Sequence, residues 1–122
     1  MDIERTDVSA CNGRDTVGGF YPIFKPWGKT YRIPMPSGSE VHIAYIKKGG
    51  RSSYHLHEDM VNVFFIVSGR LLVNLEYGGE VILGPEDMLP IETSNKHYFE
   101  ALEDTILVEA YGQVDIHRIK VS

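Results

Sequence analysis

From Phe20 onward the apolar residues come in short runs cut by Gly, Pro, Ser and Asn, and no window carries the 3.6-residue period of an amphipathic helix. The runs predict strands over Phe20 to Phe24, Lys29 to Ile33, Glu40 to Ile46, Val61 to Val67, Arg70 to Leu75, Glu80 to Leu83, Met88 to Ile91, His97 to Ala101, Thr105 to Tyr111 and Val114 to Lys120. Ser68-Gly69 and Tyr77-Gly78-Gly79 each separate two runs and predict hairpin turns, where glycine supplies a positive φ without a Cβ clash. Pro34-Met35-Pro36-Ser37-Gly38 predicts a stiff connection. Strands in this number, without helices to cover them, must close or stack to hide their edges. The expected fold is therefore all-β, a small closed or two-sheet barrel with room inside for one small ligand or metal. Residues 1–19 are polar, end in Gly18-Gly19 and show no period, so they are expected as an N-terminal arm before a single domain over 20–122.

Composition narrows the partners. A net charge of −5 and a pI near 5.5 leave no basic surface able to neutralise many phosphates, so no nucleic acid partner is expected. Apolar runs such as Val63 to Val67 are far shorter than the roughly 20 residues that cross a bilayer, and nothing reads as a signal peptide or membrane anchor. Cys11 is a lone cysteine without an internal disulfide partner, in keeping with a reducing cytoplasm.

Five histidines occur, and His55 and His57 stand two apart just before the run at Val61. In extended backbone, residues two apart share a face, with side chains roughly 6 to 7 Å apart along the strand. Two neutral imidazoles so placed can reach one metal ion at about 2.0 to 2.1 Å. Surface His-x-His pairs are common, so the pair alone does not make a site.

The surrounding residues resemble the cupin superfamily. Its first motif is a glycine, five residues, His-x-His, three or four residues, a glutamate, six residues and a glycine; here Gly49, His55, Leu56, His57, Asn62 and Gly69 keep every spacing, with Asn62 in place of the glutamate. The second motif, a glycine, five residues, Pro-x-Gly, two residues and a histidine, resembles Gly84, Pro90, Ile91, Glu92 and His97, with Glu92 for the glycine and two extra residues before the histidine. The resemblance implies a cupin-type double-stranded β-helix, a jelly-roll barrel, holding a divalent metal ion (Zn, Mn, Fe or Ni) on His55, His57, His97 and the Asn62 position, and a homodimer. Lys25-Pro26-Trp27-Gly28, Val67-Ser68-Gly69 and Asp115-Ile116-His117-Arg118 resemble segments of the cupin domain of type II phosphomannose isomerases and mannose 1-phosphate guanylyltransferases, which carry Gln-x-His and a glutamate at the motif positions where this chain has His55-x-His57 and Asn62.

Three imidazoles and an amide leave a divalent ion's charge uncompensated by its ligands. Asn62 could coordinate through its carbonyl oxygen or hydrogen-bond a bound water, and in either role it is expected to face inward. Glu58, Asp59, Glu92 and Glu100 read as solvent-facing. Trp27 reads as a plug at a barrel end, with a sugar platform as the sharper alternative. For an isomerisation the proton shuttle or anion contact would come from Tyr45, His42, Lys96 or Arg118, with Tyr45 and Arg118 foremost. The function expected is a metal-dependent isomerase or epimerase acting on a small polar ligand, a sugar or sugar phosphate. An iron-dependent dioxygenase and a non-catalytic binding or sensing cupin are the alternatives.

Overall fold

The computed structural model describes residues 18–36, 38–54, 60–92 and 94–113. Among them lie nine strands and no helix: β1 (Ile23–Lys25), β2 (Gly28–Pro34), β3 (Glu40–Ile46), β4 (Met60–Ser68), β5 (Leu71–Leu75), β6 (Gly79–Leu83), β7 (Met88–Ile91), β8 (His97–Ala101) and β9 (Thr105–Gln113). They form an antiparallel six-stranded sheet in the order β1-β2-β3-β9-β4-β7 and a three-stranded sheet in the order β6-β5-β8. The strands predicted over Glu40 to Ile46, Met88 to Ile91 and His97 to Ala101 appear with those bounds, and the first run shortens to Ile23–Lys25. The strand expected over Val114 to Lys120 lies outside the described residues, as do His55, His57, Arg118 and Cys11.

Alternation decides which side of each strand is buried. Ala44 and Ile46 on β3, Phe64 and Ile66 on β4, Leu71 and Val73 on β5, Phe99 and Ala101 on β8 and Leu107 on β9 share one apolar core between the sheets. Burying each large member stabilises the fold by about 1.5 to 3 kcal/mol. Among neighbouring apolar residues the core takes Phe64, Ile66 and Phe99, while the half-buried Phe65 and Tyr98 lie on the other faces of their strands. Pro90 is tolerated because β7, paired to β4 alone, is the sheet's edge.

One expected turn is corrected. Tyr77-Gly78-Gly79 does close a hairpin, between β5 and β6. Ser68-Gly69 does not: β4 pairs with β7 and β9, β5 with β6 and β8, so the glycine marks a corner where the chain leaves one sheet for the other. The register of β4 against β9 shifts between Ile66 and Ser68, and Gly69 then takes a φ of 94° against Asp104 and Thr105. A bend into the second sheet and a hairpin both require a glycine at positive φ, which is why the dipeptide reads alike for either.

Candidate metal centre and cavity

The chain before the first histidine pair is zipped to the strand that carries His97. Gly49 N–H donates to the Ala101 carbonyl at 2.8 Å, Ala101 N–H to Gly50 at 2.9 Å, and Ser52 N–H to Phe99 at 3.0 Å, with an antiparallel bridge between Arg51 and Glu100. The Phe99 N–H donates in turn to Ser52 Oγ at 3.0 Å. The start of the first motif therefore runs beside the end of the second.

His97, 1% exposed, points into the barrel, edge-on to Phe64 with ring centroids 5.9 Å apart. Its Nδ1 donates to the Asn95 carbonyl at 2.9 Å, so the neutral ring keeps its lone pair on Nε2, the tautomer of a metal-binding imidazole. Asn95 is itself clamped, accepting from Tyr77 N–H and donating to the Tyr77 carbonyl, each at 3.0 Å. The β5–β6 turn thus braces the residue that sets the histidine's tautomer.

Asn62 is 1% exposed on β4, level with Ile91 of β7 and Tyr111 of β9, and neither its Oδ1 nor its Nδ2 makes a well-formed hydrogen bond among the described residues. A buried amide left in this state costs stability unless a further partner satisfies it. Of the expected ligand set, His97 and Asn62 are described: an inward-facing imidazole with its lone pair on Nε2 and a buried amide short of partners, both compatible with a divalent ion. The described residues by themselves contain no cluster of three metal-ligating side chains.

Beside Asn62 stands an acid that sequence reasoning passes over. Glu109 on β9 is 7% exposed, accepts a hydrogen bond from Tyr111 Oη at 2.9 Å, and has no cationic partner among the described residues. Burial pushes its carboxyl above the usual carboxylate range; Tyr111 and the adjacent Asn62 amide, which is close but not in ideal hydrogen-bond geometry, pull the other way. Burial and the Glu109 charge together push the Tyr111 phenol well up. The signal was in the period: Glu109 is in step with Thr105 and Leu107 on the buried face of β9, an acid where the pattern calls for an apolar side chain.

Glu109 and Tyr111 also border a cavity of about 440 Å³ whose wall includes Trp27, Phe99, Ser52 and Ser53 and whose outer edge carries the exposed Lys25 and Arg51. Lys25-Pro26-Trp27-Gly28 forms the β1–β2 turn at this mouth. A Cβ on Gly28 would overlap the Tyr45 carbonyl, so the turn depends on glycine. Trp27 packs edge-on against Phe99 with centroids 5.3 Å apart and also faces the cavity, which joins the plug and wall readings in one residue.

Tyr45 lies elsewhere. Its neighbours Ala44 and Ile46 face the core, so Tyr45 faces the opposite side of the sheet, where it meets Tyr31 at 5.8 Å between centroids and the buried Lys29, whose Nζ lies 5.3 and 5.4 Å from the Tyr31 and Tyr45 rings. The shuttle expected of Tyr45 has no path to the cavity from there. His42 does face inward, level with Glu109 on β9; it bonds Glu40 at 2.8 Å and its ring stacks near Tyr111 at 4.4 Å. Glu92 is exposed and Glu100 points away from His97, as expected for solvent-facing positions, whereas Lys96, a candidate shuttle or anion contact, is exposed and does not line the cavity.

The comparisons agree with this architecture. A family model described as "Cupin domain" matches residues 42–111. No curated protein matches the sequence. Among solved structures, KdgF from Halomonas sp. aligns at a TM-score of 0.67 and 20% identity, over 77% of this chain and 87% of that one. An RmlC-like cupin from Shewanella frigidimarina aligns at 0.70 and 17%, over 84% and 93%. Ectoine synthase from P. lautus aligns at 0.66 and 15%, over 82% and 75%. At these identities the likeness is one of fold.

Proposed function

The chain belongs to the cupin family, and from that premise we propose that it is a metal-binding cupin that isomerises or epimerises a small sugar or sugar phosphate. The observation that supports this reading is the polarity of the cavity: two cations at the mouth, an aromatic wall, and a buried carboxyl and phenol at the base, next to Asn62. Lys25 would hold a phosphate or carboxylate by charge, joined by Arg51 once its guanidinium leaves the Tyr98 ring, on which it rests 4.2 Å from the centroid. Trp27 would cover the sugar's apolar face. For isomerisation Glu109 would take a proton from the carbon beside the carbonyl and return it on the same face to the former carbonyl carbon, the hydroxyl proton passing to the former carbonyl oxygen, while Tyr111 holds the carboxylate in place.

A divalent ion on His55, His57, His97 and the Asn62 position would polarise the carbonyl as a Lewis acid. The acid and the paired cations favour isomerisation over the dioxygenase reading, which calls for neither. The ectoine synthase name adds that synthesis of a small molecule is run on this fold.

The test is incubation of metal-reconstituted protein with a panel of aldose and ketose phosphates in deuterated water, read by NMR. Conversion with solvent deuterium on the reacting carbon is the expected result, reduced at least about 100-fold in Glu109→Gln when both proteins are held at saturating metal. Saturable binding of the sugars without conversion or exchange would leave a sensing module and end the isomerase reading.

A further inference from the structure

We infer that Glu109 restores to the metal centre, from the neighbouring strand, the negative charge that the first motif loses at Asn62, acting as a positioning residue through the Asn62 amide. This rests on the metal-binding reading above.

The register carries the inference. Asn62 is level with Tyr111, and Phe64 with Glu109, so Asn62 and Glu109 are diagonal neighbours on one face of adjacent strands. Diagonal pairs are separated by about 7 to 8 Å, a gap that long side chains bridge. Both side chains are buried, Asn62 at 1% and Glu109 at 7% exposure. An amide whose Nδ2 turns towards Glu109 and Tyr111 presents its Oδ1 to the barrel interior. The carboxylate–amide pair then repeats the logic of the carboxylate that orients a ligating histidine.

Charge points the same way. Glu109 is a buried acid bonded to a phenol, without a cation among the described residues, and Asn62 is a buried amide without a well-formed hydrogen bond. Each is costly alone. A dication beside Asn62 offsets both: the amide oxygen gains a ligand or a bound water, and the carboxylate gains a counter-charge across the amide. A glutamate on β4 would put the charge directly on the ion; on β9 it stands one residue further back and also borders the cavity.

The experiment uses the full chain, stripped of metal and titrated with Zn²⁺ in competition with a chromophoric chelator. Wild type, His97→Ala, Glu109→Gln and the double variant Asn62→Glu/Glu109→Gln are compared, with circular dichroism of each apo form as the folding control. Glu109→Gln keeps the shape and removes the charge, and we expect Zn²⁺ affinity to fall about 10- to 100-fold. The double variant, which returns the carboxylate to the motif position, should recover affinity to within a few-fold of wild type. A purely structural role for Glu109 would not be rescued from β4. Unchanged affinity in Glu109→Gln, with His97→Ala still losing the metal, overturns this inference and leaves the metal reading standing. Absence of Zn²⁺ binding by wild type overturns both.

Discussion

His42 shows how one inward polar residue couples the barrel to pH. Burial lowers its pKa below 6.5, against the opposing pull of Glu40, and Arg32 and Lys25 add to the lowering; Tyr111 stacks near it and Glu109 is level with it on β9. The unfolded chain therefore takes up a proton at this residue near 6.5, and the folded chain does so only at lower pH. Its contribution to stability is complete above 6.5 and is lost as the pH falls through that value towards the folded pKa. Urea unfolding midpoints measured from pH 7.5 to 5 should fall less steeply on acidification in His42→Gln than in wild type; parallel slopes would refute the assignment. The residues of the candidate site were unevenly legible. Asn62 and His97 stand out as candidates because fixed motif spacings point at them. Glu109 was not, because no spacing marks it and its inward face is decided by the pairing of β9 with β3 and β4. Tyr45 was misplaced for the same reason: polar residues of an alternating strand can be assigned to a face only once the core is known.

At the level of elements, strand positions were almost fully legible and strand partners were not. Runs of apolar and β-branched residues bounded by Gly and Pro fix where extended backbone occurs, whereas pairing depends on contacts far apart in sequence. The corner at Gly69 is the clearest case. Its φ of 94° is one that side-chain-bearing residues rarely adopt, and an added Cβ would overlap the Asp104 carbonyl. Gly69→Ala should therefore cost more than about 2 kcal/mol, from backbone strain and the clash together. The same substitution at Gly19, also at positive φ but with open space around it, should cost about 1 kcal/mol. Chemical denaturation of the two variants checks the difference, and equal losses would mean that the corner tolerates a shift.

For the whole molecule, the outer face of the six-stranded sheet presents Val41, Ala110 and Val63 level with one another across β3, β9 and β4, bordered by Met35 and Val61. We propose this face as the homodimer contact expected of the family. Light scattering should give twice the 13.8 kDa chain mass, and Val63→Lys, which places a charge in the middle of the row, should give the monomer. A wild-type monomer would remove the proposal. The barrel class was legible in the sequence because many short strands without helices leave few ways to hide their edges. The two-sheet order was not, since it is set by which strands the corners send across.

The strand order has one more consequence, and it concerns time. β9, the last of the described strands, does not add to an edge but sits in the middle of the larger sheet, between β3 and β4. During synthesis those two strands emerge first and cannot be joined until the chain has grown past residue 113, so they wait with pairing edges exposed. The same late strand carries Glu109 and Tyr111. Closing the sheet and completing the base of the cavity are then a single event.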